Sequence, residues 1–196
     1  MSAIQLQAAP RPVGIFENLI ARQTETLILR ERVMSLTGDN FEIKLANGQP
    51  VLKVSGKVMS ISGRKSVYDM QGNHLFDIVK ELMHIHATYV VQNPQGKKIM
   101  EVKNSFKLMG SKATATFTSA GGQVESLEMK GNWIDYSAEI LDKSTNTVVA
   151  RIDRKVLSGR DMIFGQQTYA LMVAPNVDMG LMAALCICMD EKNNDK

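Results

Sequence analysis

Three histidines and two cysteines are the side chains whose types could support metal binding or nucleophilic catalysis. His84 and His86 alternate along a predicted strand, so their imidazoles would share one face. A zinc site needs further ligands, and the sequence offers only scattered acids and the distant His74. Cys186 and Cys188 lie in an apolar run that would keep their thiols protonated and inaccessible. We therefore predict ordinary histidines and two core thiols that are not bridged to each other.

Motifs for phosphate binding and serine nucleophiles are absent from the sequence. Gly56-Lys57 is followed by Val58, whereas a P-loop requires Ser or Thr there, and residues 62–66 lack the upstream glycine of that motif. No serine lies in a nucleophile-elbow pattern. We expect a protein that is not an enzyme and that holds neither a metal nor a cofactor.

Basic side chains near predicted hairpin ends are the remaining candidates for a functional site. Loops from neighbouring hairpins can converge, and converging cations could bind the phosphates of an anionic lipid headgroup. The candidates are Arg64, Lys65, Lys97, Lys98, Arg154 and Lys155. The alternative is a solvated surface of mixed charge, because the net charge is only +3 and the basic residues are interleaved with acids. The same balance gives no reason to expect nucleic-acid binding.

A recurring turn and strand indicates the elements that would position these side chains. Gly48, Gly72 and Gly96 follow one another at intervals of 24 residues. Six residues after each glycine lies a strand centre, within segments 51–54, 75–78 and 99–102, where a charged residue separates two apolar ones. A fourth copy lies at 149–152, with Asn146 six residues before Ile152. This alternation predicts successive β-hairpins with one face in contact with water.

Further strands are predicted at residues 26–33, 41–45, 112–119, 124–130, 132–141 and 169–174, which brings the total to about ten to twelve. So many antiparallel strands need closure or a second sheet to hide their edges. The sequence therefore predicts a mainly β domain built as a closed barrel or a sandwich.

Residues 177–189 form an apolar stretch in which only Asp178 is polar. A helix of this length is about 20 Å long, whereas the hydrocarbon part of a bilayer is about 30 Å thick. A surface helix would carry a polar stripe, so we predict a helix that is buried on every side within the sheet. Asp178 should begin this helix, and the polar residues from Asp190 onward should end it. The residues assigned to this central helix are Val177, Leu181, Leu185, Cys186, Ile187 and Cys188.

Three parts follow from these patterns. Residues 1–23 have no strong periodicity and are expected to form a tail or an edge-hugging segment. Residues 24–192 form the predicted domain, and residues 193–196 a polar tail. The first residues lack a secretory pattern, and the cysteine content suits a reducing compartment. We expect an intracellular, cytoplasmic protein, with peripheral membrane or nuclear locations left open.

Two segments resemble a known family. Residues 33–41, 46–48 and 51–56 look like the opening of the LURP-one-related proteins of plants and fungi, and residues 169–178 are similar to that family's closing segment. The resemblance covers about residues 24–192. It implies the fold of phospholipid scramblases and of the tubby C-terminal domain, a twelve-stranded antiparallel barrel threaded by a hydrophobic C-terminal helix. The acidic calcium-binding segment expected of scramblases has no match here.

Two functions from different classes are compatible with these candidate residues and with the family resemblance. The first is a non-enzymatic binding or adaptor domain that contacts phosphoinositides or other anionic membrane lipids through the six cations. The second is a protein-interaction module in stress or defence signalling, as the resemblance to plant proteins suggests. Phospholipid scrambling ranks third, because the calcium segment and a membrane span are both missing.

Overall fold

Within residues 4–30, 41–56, 64–81, 88–105, 111–132, 137–154 and 168–194, which the computed structural model describes, twelve antiparallel strands form a closed barrel. Each strand pairs with the next in sequence, and β12 pairs with β1 to close the barrel. The strands are β1 (Glu25–Arg30), β2 (Phe41–Leu45), β3 (Pro50–Gly56), β4 (Lys65–Asp69), β5 (His74–Glu81), β6 (Thr88–Gln92), β7 (Lys98–Ser105), β8 (Ser111–Thr118), β9 (Val124–Asn132), β10 (Ser137–Asp142), β11 (Thr147–Asp153) and β12 (Thr168–Val173). The predicted twelve-stranded barrel is confirmed.

The alternation of apolar and charged residues matches the two faces of the barrel wall. Val54, Ile78 and Val102 are buried in the core, as the repeat predicts. Lys53, which lies between the buried Leu52 and Val54, is exposed on the outer face. Between Leu52 and Val54, the strand therefore points its apolar side chains into the barrel and its charged side chain towards water.

Five hairpin turns lie together at one end of the barrel, here called the turn end. They occupy residues 46–49, 70–73, 93–97, 119–123 and 143–146. Each contains a residue with positive φ, which glycine and asparagine adopt most readily. These residues are Gly48, Gly72, Gly96, Gly122 and Asn146. The predicted turns are confirmed, and Gly122 is a further copy that the search for a fixed interval did not find.

The helix α1 runs from Met179 to Asn194, and its residues 181–189 are at most 1% exposed. It shares one continuous core with the inward side chains of the strands, so it lies inside the barrel as predicted. The predicted end near residue 189 was wrong, whereas the predicted start near residue 177 precedes the observed one by two residues. Val177 and Asp178 precede the helix, and the helix continues past Asp190 because no glycine or proline stops it.

Residues 6–24, here called the N-terminal strap, pack against the turn end and do not form a free tail. Ala9, Val13, Leu19 and Ala21 are buried in the barrel core. The strap forms a parallel bridge from Val13 to Val177 and an antiparallel bridge from Ile20 to Asp178. It therefore covers the point where the chain enters the barrel.

Asp178 joins the strap to the start of α1. One carboxylate oxygen accepts hydrogen bonds from the backbone N–H groups of Gly180 (2.8 Å) and Leu181 (3.1 Å), which is the predicted N-cap. The other oxygen accepts from Ile15 (2.9 Å) and Phe16 (2.8 Å) of the strap. A single buried side chain thus satisfies backbone donors of two distant segments.

Candidate functional site

The structure does not bring the six predicted lipid-binding cations together. Arg64 and Lys65 lie at the start of β4, and Arg154 follows the end of β11, both at the far end from the hairpin turns. Strands β4 and β11 are separated around the barrel by β3, β2, β1 and β12. Lys97 and Lys98 lie at the turn end. The last candidate, Lys155, is outside the described residues.

Carboxylates engage two of these cations on the outer face. Arg64 Nη1 lies 3.2 Å from Asp77 Oδ2. Lys98 Nζ lies 3.0 Å from Glu101 and 3.3 Å from Glu81, and the hydrogen bond to Glu101 is the main cause of its raised pKa. A lipid phosphate would have to compete with these partners.

The other described candidates also fail to form a cationic cluster. Lys65 is only 6% exposed, so its ammonium group is poorly placed to meet a bulky headgroup. Lys97 and Arg154 are exposed at opposite ends of the barrel. The described residues thus provide dispersed cations on a surface of mixed charge.

An open groove of about 580 Å³ lies at the turn end, between the N-terminal strap and the turn from β8 to β9. Its lining is mostly apolar, and the two walls are joined by a hydrogen bond from the Ala120 N–H to the Gly14 carbonyl (3.1 Å). The lining residues are Arg11, Pro12, Gly14, Ile15, Glu17, Ile20, Ser119, Ala120, Gly121, Gln123 and Glu125. None of them was predicted as a site residue, because the groove exists only when two distant segments meet.

The strap forms its wall of the groove through close packing against the helix start. A Cβ atom on Gly14 would lie 2.2 Å from the Cβ of Asp178, so only glycine fits there. Phe16 stacks on Phe76 of β5 with ring centroids 5.4 Å apart. Together with the hydrogen bonds to Asp178, these contacts hold the strap as a fixed wall.

Acidic groups contact Arg11, the cation among the described lining residues of the groove. Arg11 forms an ion pair with Glu125 and a second, at 3.1 Å, with Asp142. Its pKa is raised, chiefly by the hydrogen bond to Glu125. Glu17 adds an exposed carboxylate to the lining. Within the described lining, the two carboxylates of Glu17 and Glu125 outnumber the one guanidinium of Arg11, so the groove carries a small excess of negative charge.

The other wall is a turn of the same kind as the turn from β6 to β7. In each turn the first residue donates its N–H to the carbonyl of the fifth, and the positive-φ glycine donates to the carbonyl of the first. The pairs are Asn93 with Lys97 (2.9 Å), Gly96 with Asn93 (2.8 Å), Ser119 with Gln123 (2.9 Å) and Gly122 with Ser119 (2.8 Å). Gly121 therefore occupies the place that Gln95 has in the other turn. A Cβ atom on Gly121 would meet nothing closer than Ser119 Oγ at 3.9 Å.

Both cysteines lie inside the barrel, away from solvent. Cys186 and Cys188 are not joined in a disulfide and are fully buried, and burial raises the pKa of Cys186 well above its usual value. Among the described residues, no group of three or more His, Cys, Asp or Glu side chains is placed to hold a metal ion. His84 and His86 lie outside those residues. No helix within the described ranges is long and apolar enough to cross a membrane.

Comparison with known proteins identifies the family. Residues 25–190 match the sequence profile described as LURP-one-related. The chain belongs to the LURP-one-related family. Among its relatives in Arabidopsis thaliana, Protein LURP1 is 24% identical over 93% of this chain and 85% of its own length. Protein LURP-one-related 10 is 23% identical over 84% and 88%, and Protein LURP-one-related 15 is 24% identical over 84% and 78%.

A crystal structure of a protein from Arabidopsis thaliana is similar to this LURP-one-related domain in fold. The two share 17% sequence identity with a TM-score of 0.66, over 93% of this chain and 99% of the other. The closing segment that carries the resemblance, residues 169–178, comprises β12, a turn with positive φ at Asn176 and the Asp178 cap. These family residues therefore have structural roles in enclosing the helix.

Proposed function

We propose that this LURP-one-related domain is a non-enzymatic adaptor that binds a polypeptide partner in the groove between the strap and the β8–β9 turn. The observation that carries the proposal is the groove itself, an open and mostly apolar surface with fixed walls. Concave apolar surfaces with a few polar groups are the usual form of binding sites. A stress- or defence-signalling role is the setting that we propose from the resemblance to plant proteins.

Polypeptide binding is favoured over anionic-lipid binding by the distribution of charge. The cations proposed for lipid phosphates lie at both ends of the barrel, and Arg64 and Lys98 are paired with carboxylates. The groove has an excess of carboxylates, which would repel a phosphate headgroup. Scrambling of phospholipids has less support still, because the proposed site is a surface groove on a barrel whose apolar helix is enclosed.

The proposal can be tested with two variants at equivalent turn positions. Gly121→Trp would fill the groove, whereas Gln95→Trp places the same side chain on the neighbouring turn. Affinity purification with mass spectrometry from cells of the source organism should recover a partner with the wild type and Gln95→Trp, and lose it with Gly121→Trp. Unchanged thermal melting of both variants would show that they fold.

A liposome sedimentation assay separates the lipid alternative. With vesicles that contain phosphoinositide, at two salt concentrations, the wild-type protein should stay in the supernatant. Two results together would replace our proposal with membrane binding. The first is salt-sensitive pelleting of the wild type that Arg64→Ala or Lys97→Ala abolishes. The second is the lack of any protein partner whose recovery depends on the groove.

A further inference from the structure

The residues that line the groove indicate which kind of ligand would fit it. This inference rests on the proposed function. Its apolar lining comes from Pro12, Ile15, Ile20 and Ala120. Such a surface gains from burial of aliphatic side chains. Gly121 contributes no side chain, so the occupant can approach the backbone of the turn.

Charge defines the occupant further. Arg11 is already held between Glu125 and Asp142, whose side chains are only 9% and 2% exposed. Arg11 thus shows, within this chain, that a guanidinium fits beside these carboxylates. Glu17 lies on the same lining and is exposed to solvent. A cation on the occupant would meet the excess negative charge, whereas an acidic residue would be repelled.

We infer that the groove binds a short peptide segment in which aliphatic residues flank a lysine or arginine. The aliphatic residues contact the apolar lining, and the cation pairs with Glu17 at the rim. The volume of about 580 Å³ lies within the range of sites that enclose ligands of this size.

Selection from a phage library of random peptides of about 12 residues, against the immobilised full chain, tests this chemistry. We expect enrichment of sequences that combine Lys or Arg with Leu, Ile or Val. A synthetic peptide with the enriched sequence should then bind in fluorescence anisotropy. Failure to enrich any sequence, or enrichment of acidic sequences, would overturn the inference.

Variants locate the binding on the groove. Gly121→Trp should weaken the peptide's affinity by at least about tenfold, whereas Gln95→Trp should change it by less than about twofold. Glu17→Lys should weaken it by about threefold at low salt and by less at high salt, because exposed charge pairs are screened. Gln49→Lys, which adds a cation to another turn of the same end, controls for the general effect of an added positive charge. Equal affinities of all four variants would place the peptide elsewhere and contradict the inference.

Other occupants give different results. Self-association in analytical ultracentrifugation that Gly121→Trp abolishes would assign the groove to a second copy of the chain and overturn the inference. Vesicle pelleting that the same variant abolishes would assign it to lipid, with the same consequence. If a cellular partner depends on Gly121 but no basic and aliphatic peptide is selected, the peptide chemistry fails while the proposed function stands.

Discussion

Asp178 and Asp190 lie at opposite ends of the same enclosed helix, and both are almost fully buried, with 0% and 2% of their surface exposed. Asp178 accepts four backbone N–H groups, two from the first turn of the helix and two from the strap. Asp190 accepts a hydrogen bond of 2.8 Å from the hydroxyl of Tyr169, a side chain on the neighbouring strand β12. Asp178 therefore binds backbone N–H groups, whereas Asp190 binds the side chain of Tyr169.

The difference shows how the two ends of the helix are built. Ile15 is 163 residues away from Asp178 in sequence, so the cap at the start of the helix joins the first and last parts of the chain. The free N–H groups of a helix start need acceptors, and a buried carboxylate supplies them without water. We expect the turn end of the barrel to depend on Asp178 more than the far end depends on Tyr169 and Asp190.

Removal of the Asp178 carboxylate is the largest test of this comparison. Asp178→Ala should lower the free energy of unfolding by about 4 kcal/mol, because two buried N–H groups of the helix start and two partly buried ones of the strap lose their acceptor. Urea denaturation followed by circular dichroism measures the effect. A loss below about 1 kcal/mol would show that other groups or water can replace the carboxylate.

The close approach of the strap gives the next largest effect. Gly14→Ala should lower the free energy of unfolding by about 3 kcal/mol, because its Cβ would overlap the Cβ of Asp178 at 2.2 Å. The matched control is Gly56→Ala, where nothing lies within 4 Å of the new atom. The same denaturation assay applies, and equal stabilities of the two variants would mean that the strap can shift away from Asp178 at little cost.

The far end of the helix is tested by Tyr169→Phe. Removal of the hydroxyl deletes the hydrogen bond of 2.8 Å from Tyr169 to Asp190 but keeps the aromatic ring. We expect a loss of about 1.5 kcal/mol in the free energy of unfolding, since removing one partner of a buried hydrogen bond costs about 1 to 3 kcal/mol. A loss equal to that of Asp178→Ala would show that the two ends contribute alike and would remove the proposed difference.

The sequence predicts much of the barrel and little of the groove, for physical reasons. Strand alternation and glycine turns are local, so Gly48, Gly72 and Gly96 suffice to place the hairpins. Gly122 lies 26 residues after Gly96, and a search for a constant interval therefore misses it. The N-cap role of Asp178 follows from its place before an apolar run. Its bonds to Ile15 and Phe16 do not, because the strap has no periodicity that marks it as structured.

The positions of the candidate cations show a further limit. In an up-and-down barrel, alternate connections lie at opposite ends, so Lys97 on a hairpin turn and Arg64 before β4 have to be separated. Strand counting could have shown this once the fold was assigned. The groove could not be found in the same way, because Ile15 and Gly121 become neighbours only through tertiary contacts of the strap.

The smallest expected effect is the pH dependence of the cap. Burial raises the pKa of Asp178, and the hydrogen bonds from Phe16 and Ile15 oppose the shift without reversing it. A raised pKa means that the folded protein holds this proton more tightly than the unfolded chain. The group's contribution to stability is therefore greatest below its ordinary pKa of about 3.8 and declines as the pH rises towards the raised value.

Asp178→Asn isolates this contribution, because the other titrating groups are common to both proteins. The free energy of unfolding of the wild type minus that of Asp178→Asn should fall as the pH is raised from about 3 to about 7. Urea denaturation at each pH provides the two values. A difference that grows with pH would mean that the four N–H donors outweigh burial and lower the pKa, so that the cap favours the charged carboxylate in the folded protein.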